Sequence, residues 1–493
     1  MRSPIRGANR ARQGGQTVVW FLATIAACCC VFALVYNVGQ VTNKKEATVN
    51  AADAAALSGA LIEARMLNFE AYANRAMVAN EVTVAQLVSS ESFMYYTDTL
   101  LQNIATYTAA VPFVDDVTGP LSDGVDLVTT GVDAKIRVDI PIIEGVNTIL
   151  QGVAAGVYAS GATAANSVAS TIAAANETTF NGRDDQAPQL AASTLALAMN
   201  ESTWSSFISI EDQSILKDIV NNSRDPFADQ RNNSSLINDF NTALEILGAG
   251  TEFPQFAKTS GVTKLDDFNH WEAQDSMDLE ENTCFLGHFC STDPVPFVDM
   301  GYGRADADSD GSTGTDQCNT SGGLFGQFTW NCQQAMNNAN NLSWNGLPKL
   351  YDIVAGLGNK DPCTVNNGSD SGSMAYVMAV QEAGKATLTT QNLGTGLNNV
   401  DVAGPQGSPR MTDNFQNGGD LTAISEACVF FLRPDGKAVD PTRGSLARED
   451  GQHEFASLYN PYWQARLTAP DSKWITALYA QIGQASLIPV ATQ

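Results

Sequence analysis

Histidine is nearly absent from this chain, with three in 493 residues: His270, His288 and His453. Gly-x-Ser-x-Gly, His-Glu-x-x-His and phosphate-loop patterns are missing altogether, which leaves no local signature of a serine hydrolase, a zinc hydrolase or a nucleotide site. Basic residues are scarce, 27 against 53 acidic ones, and the net charge is −26. Such a chain repels phosphate, so no nucleic-acid partner is expected. Charge of either sign is missing between Arg12 and Lys44.

That uncharged gap holds the apolar run TVVWFLATIAACCCVFALVYNV, Thr17 to Val38. As a helix it covers about 33 Å, close to the thickness of a bilayer core of about 30 Å. Trp20 and Tyr36 lie near its ends, where amphipathic rings favour the headgroup region. Arg2, Arg6, Arg10 and Arg12 precede it without an acid among them. The expectation is a basic cytoplasmic tail (1–16), a transmembrane helix (17–38) and a bulk on the far side of the membrane. IAAC, Ile25 to Cys28, has the order of a lipoprotein-processing site, but the residues after Cys28 stay apolar, which favours an uncleaved span.

Directly beyond the gap comes NAADAAALSGA, Asn50 to Ala60. Alanine costs no side-chain entropy in a helix, and small side chains leave a smooth face for close packing. No proline interrupts the chain from Val41 to about Thr108, and apolar residues recur at helical spacing with a break around Asn74. This reads as one long helix over 39–110. Pro112 and Pro120 punctuate its end, and a second helical stripe follows Pro141 within a helical region over 111–250. The pair Gly152 and Gly156 in GVAAG is suited to packing against the first helix. Further helical patterns cover Gln189–Asn200, Ile210–Val220 and Ser235–Leu247.

Glycine, asparagine, proline and cysteine become frequent after Gly248. Residues 251–447 read as a region of short strands and long loops, with ISEACVFFLRPDG (Ile424–Gly436) as the clearest strand and turn. Residues 448–493 form an aromatic, partly helical segment. The expected fold class is α+β: a transmembrane helix continuing into a helical stalk, then a disulfide-stapled strand-and-loop region.

The cysteines divide into two groups. Cys28, Cys29 and Cys30 fall inside the span and act as small apolar residues. Cys284, Cys290, Cys318, Cys332, Cys363 and Cys428 lie in the outer region, and their even number reads as three disulfides. Fifteen connectivities are open; nearest neighbours give Cys284–Cys290, Cys318–Cys332 and Cys363–Cys428. DADSDGSTGTDQ is the strongest ligand-like stretch. Asp306, Asp308 and Asp310 alternate, Gly311 stands where a calcium loop turns, and Ser312, Asp316 and Gln317 can complete a shell. Gln317 replaces the bidentate glutamate of an EF-hand, so the expected ligand is a weakly held structural calcium. SDSGSM (Ser369–Met374) lacks the leading aspartate of a von Willebrand factor A metal site. Nothing here marks a catalytic residue, a cofactor site or an enzyme.

RQGGQTVVWF at the membrane entrance, the span, NAADAAALSGA beyond it and NRAMVANEVTVAQLV (Asn74–Val88) together resemble the TadE/TadG-like membrane proteins of bacterial Flp/Tad pilus systems. The resemblance covers roughly residues 12–90. It implies bacterial inner-membrane anchoring, a part in building or tethering a pilus, and contacts to other pilus-assembly proteins through the N-terminal helix. Prepilin-like members carry Glu five residues after the cleavage glycine. Here the fifth residue after Gly15 is Trp20, and no acid occurs before Glu46, so the uncleaved TadG-like form is implied. An adhesin-like minor subunit, binding through its cysteine-rich loops, is the alternative. Thiol labelling of the denatured, unreduced protein is expected to modify Cys28, Cys29 and Cys30 alone; labelling of Cys318 or Cys428 would contradict the outer disulfides.

Overall fold

The structure is a computed structural model that describes residues 16–108, 115–181, 191–192, 194–231, 255–281, 284–285, 289–290, 295–309, 342–354, 373–382, 421–432 and 456–481. Helix α1 (Gln16–Thr108) is one 93-residue element without a proline, about 140 Å long. Its apolar beginning is exposed, and burial starts at Lys44, Thr48 and Ala51. Helix α2 (Asp115–Asn181) returns antiparallel along α1: Asn147 meets Asn80, and Asp133 lies beside Glu91. Pro120 and Pro141 lie inside α2 rather than marking the end of the first helix and the start of the second, as their sequence positions had suggested. Both are exposed, and the helix is held by its inner face on α1, so the loss of single backbone bonds is tolerated.

Two four-stranded sheets pack on α1. One has the order β1-β10-β11-β12 and the other β3-β4-β7-β8. Their strands are β1 (Ala191–Ala192), β3 (Gln255–Asp267), β4 (His270–Glu281), β7 (Val295–Asp308), β8 (Leu342–Ser343), β10 (Ser373–Glu382), β11 (Leu421–Phe431) and β12 (Trp463–Thr468). β2 (Ile208–Ile210) pairs with β9 (Tyr351–Ile353), and β5 (Cys284–Phe285) with β6 (Phe289–Cys290). Shorter helices complete the order: α3 (Thr194–Phe207), α4 (Gln213–Asn222), α5 (Pro226–Asp229) and α6 (Ser472–Gln481). β3, β4 and β7 are long strands, not the short ones expected for 251–447. The segment is also not a separate region carried on a bare stalk, because its strands use α1 as their core.

The sheet nearer the apolar end of α1 explains the alanine run. Met374, Tyr376, Met378 and Val380 alternate along β10 and share one core with Ala52, Ala55, Ala56, Ala60 and Ala64 of α1 and with Ala165 and Ala169 of α2. Tyr376 pairs with Ala427 across β11, so the large ring is flanked by a small neighbour. The ring lies against Gly59 so closely that a Cβ there would overlap it. Val377 and Ala379 point the other way, onto Ala196 and Leu478 of α3 and α6. The distal sheet reverses the size relation. Gly301 and Gly303 of β7 meet the α1 backbone around Ser92, Tyr96 and Leu100, and Ala305 and Ala307 continue that face into the second core.

Gly152 and Gly156 face open space, so they do not serve the approach to α1 that their spacing had suggested. Gly59 and Gly161 are close-approach positions of another kind: Gly59 of α1 receives Tyr376 of β10, and Gly161 of α2 receives the Trp204 indole of α3, whose Nε1 donates to the Tyr158 carbonyl at 2.9 Å. Gly59→Ala is expected to cost about 1–3 kcal/mol through overpacking, because the Tyr376 hydroxyl is tied to Asn166 at 2.9 Å and the ring cannot swing aside freely. Within the single chain, at concentrations too low for association, Gly152→Ala is expected to be neutral or stabilising by up to about 1 kcal/mol. Denaturant melts of the two variants check the contrast.

Candidate functional site

The functional element with the clearest build is α1 itself, because it carries an uncovered apolar end and a buried polar interior. Val18, Trp20, Phe21, Leu22, Val31 and Phe32 are all exposed. Two helices among the described residues are long and apolar enough to cross a membrane. The first holds this wholly uncovered window; the second, Val117–Asn176, is partly buried against the body. Cys28, Cys29 and Cys30 are free and exposed on the apolar end.

Farther along, asparagines replace apolar residues and fasten strands. Asn68 Nδ2 donates to the Trp463 carbonyl at 2.8 Å, and its Oδ1 accepts from the Trp463 amide at 2.8 Å. Asn74, the apparent break in the helical stripe, is fully buried and donates to the Tyr351 and Leu458 carbonyls at 2.7 and 2.8 Å. Asn200 of α3 grips Val377 through both its amide and carbonyl, each at 2.9 Å. Each asparagine satisfies backbone groups that would otherwise be buried without partners.

The same helix buries a row of carboxylates: Glu63, Glu70, Glu81, Glu91 and Asp98. Glu63, Glu70, Glu91 and Asp98 share one phase of a seven-residue repeat, which keeps them on the inner side. Burial pushes Glu63 well above the usual carboxylate range, Glu70 up to about 7, and Glu91 up to about 9. For Glu91 the neighbouring Asp133 adds to the shift and Arg137 opposes it. Glu81 is raised by burial and then by Glu144, against the Trp271 and Trp344 indoles and the Asn147 amide, which donates to it at 2.8 Å. Desolvation raises all of these groups, and Glu91, pushed up to about 9, keeps its proton near neutrality.

Where α1 meets the distal sheet, a paired charge holds the joint. Arg231 forms a bidentate pair with Asp275 of β4 at 2.6 and 2.9 Å, both side chains almost completely buried. Ser92 Oγ of α1 donates to the same carboxylate at 2.6 Å. Arg231 Nη1 also donates to Thr263 Oγ1 at 2.9 Å, and Thr263 Oγ1 lies 2.7 Å from Ser89 Oγ. Nothing in the spacing of these residues marked them in the sequence.

Of the calcium stretch, Asp306 and Asp308 are strand residues of β7. Arg304 Nε donates to Asp306 Oδ2 at 2.9 Å, and His270 Nε2 lies 3.5 Å from Asp306 Oδ1. A calcium loop starting at Asp306 needs that carboxylate free, whereas here it serves two cationic side chains. Asp310, Ser312, Asp316 and Gln317 lie outside the described residues. Asp266, His270 and Glu272 on the neighbouring strands are close enough together to hold a metal ion. Lys264 already sits 3.9 Å from Asp266 and 3.8 Å from Glu272, and Arg304 approaches Glu272 at 3.7 Å. A metal would have to displace that lysine.

Cys284 and Cys290 stand opposite each other in the β5–β6 ladder. Cys428, on β11, is disulfide-bonded. Cys318, Cys332 and Cys363 also lie outside them.

The raised carboxylates carry a pH consequence. A carboxylic acid that holds its proton more tightly when folded contributes its full stability below the unfolded value near 4.5 and loses it as the pH rises through the folded value. The melting temperature is therefore expected to fall between pH 5 and pH 9, at about 1.4 kcal/mol per pH unit for each group between its two pKa values. Glu70→Gln should flatten the curve up to about pH 7 and Glu91→Gln up to about pH 9. Thermal melts across that range provide the check.

Residues 15–63 match the family model for Flp pilus-assembly TadE/G-like proteins. No curated protein and no solved structure matches the chain. The matched segment runs from the membrane-length helix through the alanine face to Glu63, the first buried acid. The sheets that pack on α1 lie beyond the match, which is also shorter than the resemblance read over 12–90. The N-terminal part of α1 is thus similar to the TadE/G-like proteins of Flp pilus assembly.

Proposed function

We propose that the protein is a non-catalytic, membrane-anchored structural component of a Flp/Tad-like bacterial pilus assembly. Its N-terminus is cytoplasmic, and its bulk lies on the periplasmic or outer face of the inner membrane. The observation that carries this reading is continuity: the matched segment is one helix with the body's core, so the anchor and the scaffold are a single rod. Arg2, Arg6, Arg10 and Arg12 before the apolar run support the orientation by the positive-inside rule. The partners are the bilayer and other pilus-assembly proteins reached through the exposed end of α1.

The outer cysteines fit that compartment. The facing positions of Cys284 and Cys290 support a disulfide between them, and Cys428 is a disulfide cysteine. No catalytic constellation accompanies the body among the described residues. The strongest ionisable cluster, Arg231 with Asp275, is almost fully buried and already paired.

Cell fractionation is expected to recover the protein intact from the inner membrane, resistant to carbonate extraction. Deleting its gene is expected to reduce pilus assembly or attachment. Normal pili on cells that lack the protein would overturn the reading. Recovery in sheared pilus fractions, and none in the inner membrane, would favour an adhesin-like minor subunit.

A further inference from the structure

We infer that the outward face of α2 is a dimerisation surface, along which two copies of this chain pack their α2 helices in parallel. The face is a continuous seam in steps of three and four: Leu121, Gly124, Val128, Gly131, Lys135, Val138, Ile142, Gly145, Ile149, Gly152 and Gly156. Every one of these positions is exposed, including Ile142 at 60% and Ile149 at 68%. The glycines meet nothing within 4 Å. A Cβ would fit at each of them, so the body of the protein does not require glycine there. A straight surface helix packed against one globular core drifts at a period of 3.6 residues. The outer seam instead keeps a strict seven-residue repeat over five heptads, in step with the packing of α2 along α1, so it presents one straight line to a further helix.

The residue types along the seam select its partner. One set of heptad positions holds Leu121, Val128, Lys135, Ile142 and Ile149. The other holds Gly124, Gly131, Val138, Gly145 and Gly152. β-branched residues at the first set favour two parallel strands, and a single lysine there fixes register in two-stranded coils. Lys135 reaches Asp139 of its own helix, so its charge has a partner at the seam's edge. The glycines let two backbones approach closely, while the aliphatic side chains interlock between them. Pro120 and Pro141 each stand directly before a position of the first set and so lie beside the contact line.

Area and direction agree with a second copy. The seam is about 53 Å long and about 10 Å wide, so two copies bury about 1,100 Å² in total, above the threshold of about 1,000 Å² for a specific interface. The inner side of α2, with Ile136, Ile140 and Asn147, is occupied by α1, which leaves the outer seam as its free side. The parallel direction rests on the proposed anchoring: two copies in one membrane carry their α2 helices in the same sense, so the seam meets itself in register. A two-fold axis along that direction is the commonest closed symmetry.

The test uses the full chain in detergent micelles, with mass measured by sedimentation equilibrium. The wild type is expected to be a dimer. Ile142→Asp with Ile149→Asp is expected to weaken dimerisation by about 100-fold or more, since each copy would bury unpaired charge. At concentrations low enough for both proteins to be monomeric its thermal melt should match the wild type, because both side chains are exposed in the monomer; at higher concentrations only the wild type should gain stability from association. With Cys28, Cys29 and Cys30 changed to alanine, Gly145→Cys should cross-link to its own copy on oxidation, whereas Thr130→Cys, exposed off the seam, should not. A monomeric wild type would overturn the inference, as would a dimer indifferent to the double substitution or joined through the membrane helix alone. Cross-linking of Gly145→Cys only to a different protein in cells would assign the seam to that protein. Protection of the seam only when lipid vesicles are added would assign it to the bilayer. Membrane fractionation reads the anchor independently of all these outcomes.

Discussion

Close approach between a single long helix and two sheets is the constraint from which the rest of this structure follows. A helix with ordinary side chains cannot bring its backbone against a tyrosine ring or a strand. Here the small partner changes sides along the rod. Toward its apolar end α1 supplies it, with Gly59 and the alanines from Ala52 to Ala64 receiving Tyr376 and the methionines of β10. Farther out the sheet supplies it, with Gly301 and Gly303 receiving Tyr96 and Leu100. One helix thereby forms the centre of two cores that would otherwise need separate scaffolds.

The price of that arrangement is polar. Sheets laid on a helix present backbone groups where no ladder continues, and Asn68, Asn74 and Asn200 meet them with side-chain amides. The buried acids are a different matter. Glu63, Glu70 and Glu91 spend the free energy of desolvation without a cation of their own to hold them charged. They soften the rod at high pH; Asp275, raised by burial as well, differs in having Arg231 and Ser92 as direct partners.

The legible parts of the sequence were those with local causes. The uncharged gap, the proline-free run to Thr108 and the alanine cluster each predict helix from neighbours alone, and α1 follows them. The strand over Ile424–Phe431 also announced itself by its apolar run. What stayed hidden depends on distant partners. Asn74 looked like an interruption because the carbonyls it serves belong to Tyr351 and Leu458. Pro120 and Pro141 looked like helix boundaries because the surface that holds α2 through them is α1. Asp306 looked like a cation ligand because Arg304, two residues away, reads as an ordinary surface charge until the strand buries both.

The order in which the chain is made adds one consequence of the Asn68–Trp463 clasp. These residues are 395 positions apart, and at about 5–20 residues per second a ribosome needs about 20–80 s to travel between them. For that interval the alanine-rich stretch of α1 has been made while the sheet that will cover it has not. Leucines there would present a sticky stripe to every passing chain. Alanines offer little apolar area, and they keep the helix formed while it waits. The small-residue face that lets the finished sheet come close is thus also the face that is safest to leave bare during synthesis.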